Sequence, residues 1–421
     1  MNVVILLLCI LLSSGLSWAQ SSSTGDTLHF SQLTDEALER NPDIRAAVYQ
    51  MSVAGARVSQ VSALDHPEFT YMREEMPQFR WSGAMMERVG LMQGIRFPTK
   101  LSKAGDIAEI RAEHAHHDHL EKVNEVLGEL KKNFTDLWYA QQSIRFNEEN
   151  ADLLLQFATI AQTKYSVGQA SQSDALTAQI AMAEVHNELI VLREQERGAA
   201  ARINATLNRP LYQPLGIAFL SESVGFSISL EKLERLALET RPMITHDSLT
   251  IVEKRDMVSL ANAEYIPDMK VGLEYKRFPQ SGFAGWGIVA GISLPFAPWT
   301  IGKTNAAVEE AEAGLKRAEA SYIGSKNRIL STVRSLYYEL QAEQDRLRSY
   351  RSEIVPQAMQ ALKATTAEYR TGKNSFLTVI DSYRTLVAAY MSSISSRMRF
   401  EQKMADLEVA VGLQDLDSFR K

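Results

Sequence analysis

Ala37-Leu38-Glu39-Arg40-Asn41-Pro42 returns 200 positions later as Ala237-Leu238-Glu239-Thr240-Arg241-Pro242. Pro67 and Pro267 keep that offset. Gly94-Ile95-Arg96-Phe97-Pro98 reappears at an offset of 197 as Gly291-Ile292-Ser293-Leu294-Pro295. Tyr165-Ser166-Val167-Gly168 reappears at 204 as Tyr369-Arg370-Thr371-Gly372, and Ser171 matches Ser375. Four matches in one order, with small drifts in offset, make the chain two copies of one unit. Length alone, 421 residues, would predict two or three compact domains instead. The copies are assigned to 20–210 and 230–421, with 211–229 as a linker between them.

Each copy reads as helix, strand pair, very long helix, turn and return helix. Val123, Leu127, Leu130, Phe134, Leu137, Gln141 and Ile144 step by four and three, a heptad seam. No proline interrupts 103–167, so one helix of 65 residues and roughly 100 Å is expected there. Its return helix is expected over 172–208. The second copy repeats the seam at Ile329, Val333, Leu336, Leu340 and Leu347, within a long helix over 303–371 and a return helix over 375–412. Pro356 should kink it by removing a backbone hydrogen bond. Helices this long exceed one globular core and must pack side by side.

Strand pairs are expected over 67–97 and 268–296. In the second, Met269, Val271, Leu273 and Tyr275 alternate with Lys270, Gly272, Glu274 and Lys276. Trp286, Ile288, Ala290 and Ile292 continue the alternation, with Trp81, Phe296 and Trp299 also at the ends. Ten-residue segments with one apolar face and interfacial aromatics suit a tilted transmembrane strand. A soluble hairpin lying on a helix is the other reading of the same pattern. Four strands per chain cannot close a barrel, and lipid does not tolerate open edges, so copies of the chain must associate.

The amino terminus points to export. Val3 to Leu12 is an apolar run, followed by Ser17-Trp18-Ala19, so residues 1–19 read as a signal peptide cut after Ala19. Its leading segment carries no Lys or Arg, and a short anchor is the alternative. The one cysteine, Cys9, lies inside that run, which leaves a working protein without disulfides, thiolate metal sites or a cysteine nucleophile. A net charge of -6 gives no basic footprint for nucleic acid. No nucleophile elbow, His-Glu-x-x-His or phosphate loop is present, so an enzyme is not expected, nor any cofactor.

Taken together, the Ala-Leu-x-x-x-Pro, Gly-Ile-x-x-Pro and Tyr-x-x-Gly-x-x-Ser motifs, each present twice, resemble the TolC-type outer-membrane efflux protein family. The resemblance covers nearly the whole chain after the signal peptide. It implies a mainly α protein with a small membrane β part: a homotrimer whose twelve-stranded outer-membrane β-barrel continues into a long periplasmic α-helical barrel. It implies an exit duct for metal ions or small toxic compounds, served by a periplasmic adaptor and an inner-membrane, proton-driven pump. The turns Tyr165-Gly168-Ser171 and Tyr369-Gly372-Ser375 would be the periplasmic tip and adaptor contact. Asp381 matches one of the family's lumen-facing gate aspartates, while Thr378 departs from the other, and Asp174 follows the first-copy turn. Three copies of Asp381 would form a ring favouring cations; a solvated helix residue is the plainer reading. Ser171 and Ser375 are expected to cap the return helices, with Asp174 completing a capping box.

Gln93 to Leu101 resembles the heavy-metal (cobalt–zinc–cadmium) branch, with Thr99 where that branch has glycine. Nearby, Glu113-His114-Ala115-His116-His117-Asp118-His119 places His114 and His117 as neighbours able to share a divalent metal. His116 and His119 form a second pair, so the cluster wraps the helix and a solvated face is the simpler reading. The rival to a channel is a periplasmic coiled-coil adaptor or scaffold without a pore. It explains the heptads but not the alternating strands.

Overall fold

Each copy reads from sequence as having one helix before its strand pair; the structure has two, with the Ala-Leu-x-x-x-Pro motif ending one and beginning the next. In the computed structural model, which describes residues 27–74, 86–221, 225–279 and 281–413, α1 (Phe30–Arg40) stops at Asn41 and α2 (Pro42–Val61) starts at the proline. Asn41 Oδ1 accepts from Asp43 N at 2.9 Å and Ile44 N at 3.0 Å, capping α2, and Pro42 sits where no backbone donor is needed. Its Nδ2 donates to Thr206 O at 2.8 Å, tying the junction to the far end of the same copy. The second copy builds α5 (Leu230–Thr240) and α6 (Pro242–Ala263) around Arg241, which has no side-chain cap. Its guanidinium donates to Ala410 O at 3.1 Å and pairs with buried Glu121 at 3.1 Å. One position thus makes the same tie with two chemistries.

The first copy continues through β2 (Glu68–Glu74), β3 (Met86–Ile95), α3 (Pro98–Ser166) and α4 (Gln172–Thr206). The second continues through β5 (Met269–Arg277), β6 (Ala284–Ile292), α7 (Ile301–Ser349), α8 (Val355–Arg370) and α9 (Phe376–Val411). Short β1 (Thr27–Leu28) and β4 (Ile217–Ala218) pair in parallel, which puts a strand inside the expected linker. The helix α3 runs 69 residues without a break, about 100 Å. Its counterpart is also helical without a gap from Ile301 to Arg370, but its winding changes: a π turn, Tyr350–Ile354, joins α7 to α8 just before Pro356. Widening to a π turn, with Val355 N bonded to Tyr350 O, is how the helix accommodates the proline without ending. The signal-peptide assignment, Cys9 and Trp81 lie outside the described residues.

The four strands form one antiparallel sheet in the order β2-β3-β5-β6. Register places Phe69, Leu91, Leu273 and Ile288 in one row and Tyr71, Val89, Tyr275 and Trp286 in the next. This face is bare apolar surface, with Ile288 85% exposed. Trp286, expected at a strand end, is the third residue of β6 and lies 5.2 Å from Tyr275, ring to ring. The opposite face alternates large polar residues with glycine. Lys270 sits between Gly94 and Gly291, and Glu274 between Gly90 and Gly287. A Cβ on Gly90 would come within 2.8 Å of Thr70 Oγ1, and one on Gly272 within 2.9 Å of Met92 Cγ. Glycine therefore leaves room on the polar face for the larger side chains beside it. Arg88 and Lys276 meet the Glu274 carboxylate there. Among the described residues, no helix is long and apolar enough to cross a membrane.

Below the sheet, α3 lies against α4, α6 and α9. Gly128 lets α3 approach α9, since a Cβ there would fall 2.3 Å from Val409 Cγ2. One turn on, Lys131 and Glu408 form a buried ion pair at 2.7 Å across the same contact. Each copy closes on a left-handed residue: Asn208 at φ 53° after α4 and Gly412 at φ 80° after α9. The Gly412 site is crowded, because a Cβ would lie 2.6 Å from Arg241 Cα, whereas Gly168 and Gly372 face open space. Gly412→Ala therefore carries a clash in addition to the ~1–2 kcal/mol of left-handed strain that all three alanines would carry. It is expected to lower the thermal midpoint well below that of Gly168→Ala or Gly372→Ala, followed by circular dichroism at 222 nm. Equal losses would mean that only the backbone conformation matters.

Candidate functional site

The two turns at the far end of the helices are built alike. After α3, Gly168 adopts φ 75°, its N–H reaching Tyr165 O at 2.9 Å and Gln169 N reaching Lys164 O at 2.8 Å. After α8, Gly372 adopts φ 75°, with the equivalent bonds to Tyr369 O at 3.1 Å and Glu368 O at 2.9 Å. This paired closure satisfies the last carbonyls of each helix and needs glycine at the left-handed position. The chain then reverses into Ser171 and Ser375. Ser171 Oγ accepts from Asp174 N at 3.3 Å and donates to Asp174 Oδ1 at 2.8 Å. Ser375 Oγ accepts from Thr378 N at 3.4 Å and lies 3.0 Å from Thr378 Oγ1. Asp174 and Thr378, read from sequence as gate candidates, are thus equivalent cap partners. The expected box is only half present: Asp174 N donates to the serine oxygen, while the Asp174 carboxylate accepts from the serine hydroxyl instead of from a backbone N–H.

The two tip tyrosines have opposite surroundings. Tyr369 is 6% exposed, packed on Phe376 at 5.2 Å between ring centres, with the Lys164 ammonium 4.5 Å above its ring. Burial, and then the Asp174 carboxylate of the first copy, raise its phenol above the usual range. Tyr165, the same residue of the motif, is 42% exposed. The difference follows from chain order: the second-copy turn lies against the first copy, and the first-copy turn has no described neighbour on its other side. Beyond the turns, Phe376, Val379, Ile380 and Tyr383 of α9 enter a core shared with Leu154 and Phe157 of α3. Asp381 lies on the exposed stripe of α9, with Leu377 and Arg384.

The histidine cluster wraps α3, from buried His114 to exposed His116, and one side of it meets α6. His114 and His117 lie on α3, and the facing helix α6 brings His246 of the other copy to 4.3 Å from His114, ring centre to ring centre. His114 Nε2 lies 3.3 Å from Glu253 Oε2. His246 Nε2 lies 3.6 Å from Asp118 Oδ1, and its Nδ1 3.4 Å from Asp247 Oδ1. The Glu253 carboxyl is held down at about 2, first by His114 and then by Lys254 and Arg111. Burial, with the imidazoles of His116 and His246, lowers His117. Nothing near His246 in the sequence marks it, because the contact joins residues 132 positions apart. Among the described residues, no three His, Cys, Asp or Glu side chains converge on one point.

Comparison with known proteins matches both copies. The family model described as outer membrane efflux protein aligns with residues 33–209 and again with 233–413. The cobalt-zinc-cadmium resistance protein CzcC of Cupriavidus metallidurans is 21% identical over 350 residues, covering 83% of this chain and 81% of its own. Nodulation protein T of Rhizobium leguminosarum bv. trifolii is 20% identical over 402 residues, covering 90% of this chain and 84% of its own. Among solved structures, CusC superposes with a TM-score of 0.79 at 15% identity, covering 91% of this chain and 92% of that one. The sheet, the long helices and the duplicated turns of this chain are those of that fold. The chain belongs to the outer membrane efflux protein family.

Proposed function

We propose that the chain is the exit duct of a tripartite efflux system, with three copies closing one channel through the outer membrane and periplasm. The observation that carries this reading is a four-stranded sheet with a bare apolar face and two unpaired edges, joined to helices about 100 Å long. The scaffold alternative gives that face no function.

The internal junction supplies the pattern for closure. Within one chain, β3 of the first copy pairs with β5 of the second, and α3 packs against α6 and α9. Repeating that junction between chains pairs β6 with the next copy's β2, and brings α7 against the next copy's α2. It also covers Tyr165 as Tyr369 is already covered. Two chains would give eight strands and an interior filled by side chains, whereas three give twelve and a water-filled lumen. The glycine-rich face with Lys270, Glu274 and Arg88 suits such a lumen. A purified complex weighed in detergent is expected to hold three chains. A stable dimer would contradict the closure.

The tip turns, Tyr165 to Ser171 and Tyr369 to Ser375, are the surface offered to a periplasmic adaptor, and a proton-driven inner-membrane pump would supply the cargo. Similarity to CzcC favours divalent metal ions as that cargo. Deletion of the gene is then expected to sensitise cells to zinc, cobalt or cadmium more than to organic toxicants, read as minimal inhibitory concentrations. Asp381, exposed on α9, would form a threefold carboxylate ring at the narrow end. With Thr378 in place of a second carboxylate, one ring carries the selectivity. Asp381→Ala is expected to weaken cation preference, seen as a shift of reversal potential in a planar bilayer under a salt gradient. An unchanged potential would remove Asp381 from the gate.

A further inference from the structure

We propose that the lipid-facing side of the sheet, at the end away from the helices, binds the phosphate of an anionic lipid of the outer leaflet. Arg277 is the contact, and the Tyr275–Trp286 pair is the floor beneath it. This site exists only if the chain is the outer-membrane duct proposed above, and it adds a partner to that duct.

Register decides which side of the sheet each charge occupies. Along β5, Val271, Leu273, Tyr275 and Arg277 share one face, and Lys270, Gly272, Glu274 and Lys276 share the other. Arg277 therefore stands on the apolar side, one step beyond the row of Tyr71, Val89, Tyr275 and Trp286. It is the last residue of β5, where the chain turns back through Gly282 into Ala284. The long helices adjoin the opposite ends of the strands, so with those helices in the periplasm the Arg277 end is the outer one. The nine residues of β5 rise about 27 Å, or about 20 Å along the axis of a barrel whose strands tilt by ~40°. Exposed Leu294 and Phe296 continue the apolar surface beyond the Met269 end. The apolar band of such barrels is ~25 Å tall, which sets Arg277 at its outer rim, level with the headgroups.

Charge selects the partner. The row beyond the aromatic one is Arg73, Glu87, Arg277 and Ala284. Glu87 stands opposite both arginines, but its carboxylate goes to Arg73 at 2.7 Å. Arg277 is exposed and makes no ion pair or hydrogen bond through its side chain among the described residues, and exposed Ala284 leaves its other flank open. A guanidinium on the lipid side of a strand is costly in hydrocarbon and draws an anion at headgroup level. Its planar fork of donors matches two oxygens of a phosphate. One step below, Trp286 is 71% exposed and lies against Tyr275, the kind of ring pair that packs under headgroups. An acidic soluble protein fits this surface less well, because the rest of the face is apolar. Since β5 is an inner strand, joining β6 to the next copy's β2 leaves Arg277 uncovered, and three copies carry three such sites.

The test uses the full-length protein, assembled in a neutral detergent, with diphosphoryl lipid A as the probe and native mass spectrometry to count chains and bound lipids together. Wild type is expected to hold the diphosphoryl lipid about fivefold more tightly than its dephosphorylated form, the effect of one basic side chain at an anionic surface. Arg277→Gln should lose that preference while keeping three chains and the wild-type melting temperature. Lys270→Gln, on the opposite face, should keep it. Inorganic phosphate in large excess should leave the lipid bound; displacement would mean a phosphate site and not a lipid site, and would overturn the proposal. So would equal retention of the two lipids by wild type, or an undiminished preference in Arg277→Gln. Chains that fail to assemble would count against the duct as well, whereas assembled trimers without the preference count against this site alone.

Discussion

Every backbone N–H and C=O that enters hydrocarbon must find a partner within protein, because lipid offers none. This chain brings four strands to that environment and leaves one side of β2 and one side of β6 unpaired. An isolated copy is therefore an incomplete object, however well its helices pack. The apolar outer face, the glycine-lined inner face and the long helices set beneath them acquire a purpose only when the edges are joined. The same constraint explains the ordinary composition. Strands spend alternate residues on lipid, so a membrane protein can remain 45% hydrophobic with no apolar helix among its described residues.

Duplication solved the geometry once and then allowed the copies to diverge. Asn41 and Arg241 tie the helix junctions to the ends of α4 and α9, one by an amide and the other by a guanidinium. Asn208 and Gly412 close those ends in the same left-handed conformation, but only the glycine is pressed against a neighbouring backbone. Asp174 and Thr378 share a capping role while differing in charge. Such pairs are informative because the fold is held nearly constant while the side chain changes. They separate what the backbone requires from what each copy does with its own surroundings.

The features legible in the sequence were those written locally. Heptad steps through Val123 to Ile144 reported a long helix, alternation through Met269 to Tyr275 reported a two-faced strand, and Tyr-x-x-Gly-x-x-Ser reported a capped reversal. The helix break at Asn41 is not visible in the periodicity, because the apolar pattern runs on across it; Pro42 forces the preceding residue into extended backbone. His246 could not be paired with His114 from sequence, since their contact depends on which helix of one copy lies beside α3 of the other. The contrast between Tyr165 and Tyr369 was hidden for the same reason. Local chemistry is readable from the chain, whereas adjacency between copies is not.

The π turn has a consequence for length. The helix α3 has 69 residues, whereas α7, the π turn and α8 contribute 49, 5 and 16, one residue more than α3. An extra residue in a regular helix would rotate everything beyond it by about 100° and lift it ~1.5 Å. The seam below would then face the wrong neighbour. A single wide turn absorbs such a surplus residue, so the stripe carrying Ala358, Leu362 and Tyr369 still meets the core that Leu154 and Phe157 enter from α3. The irregularity beside Pro356 thus acts as a vernier, keeping two unequal legs of the same molecule flush at their ends.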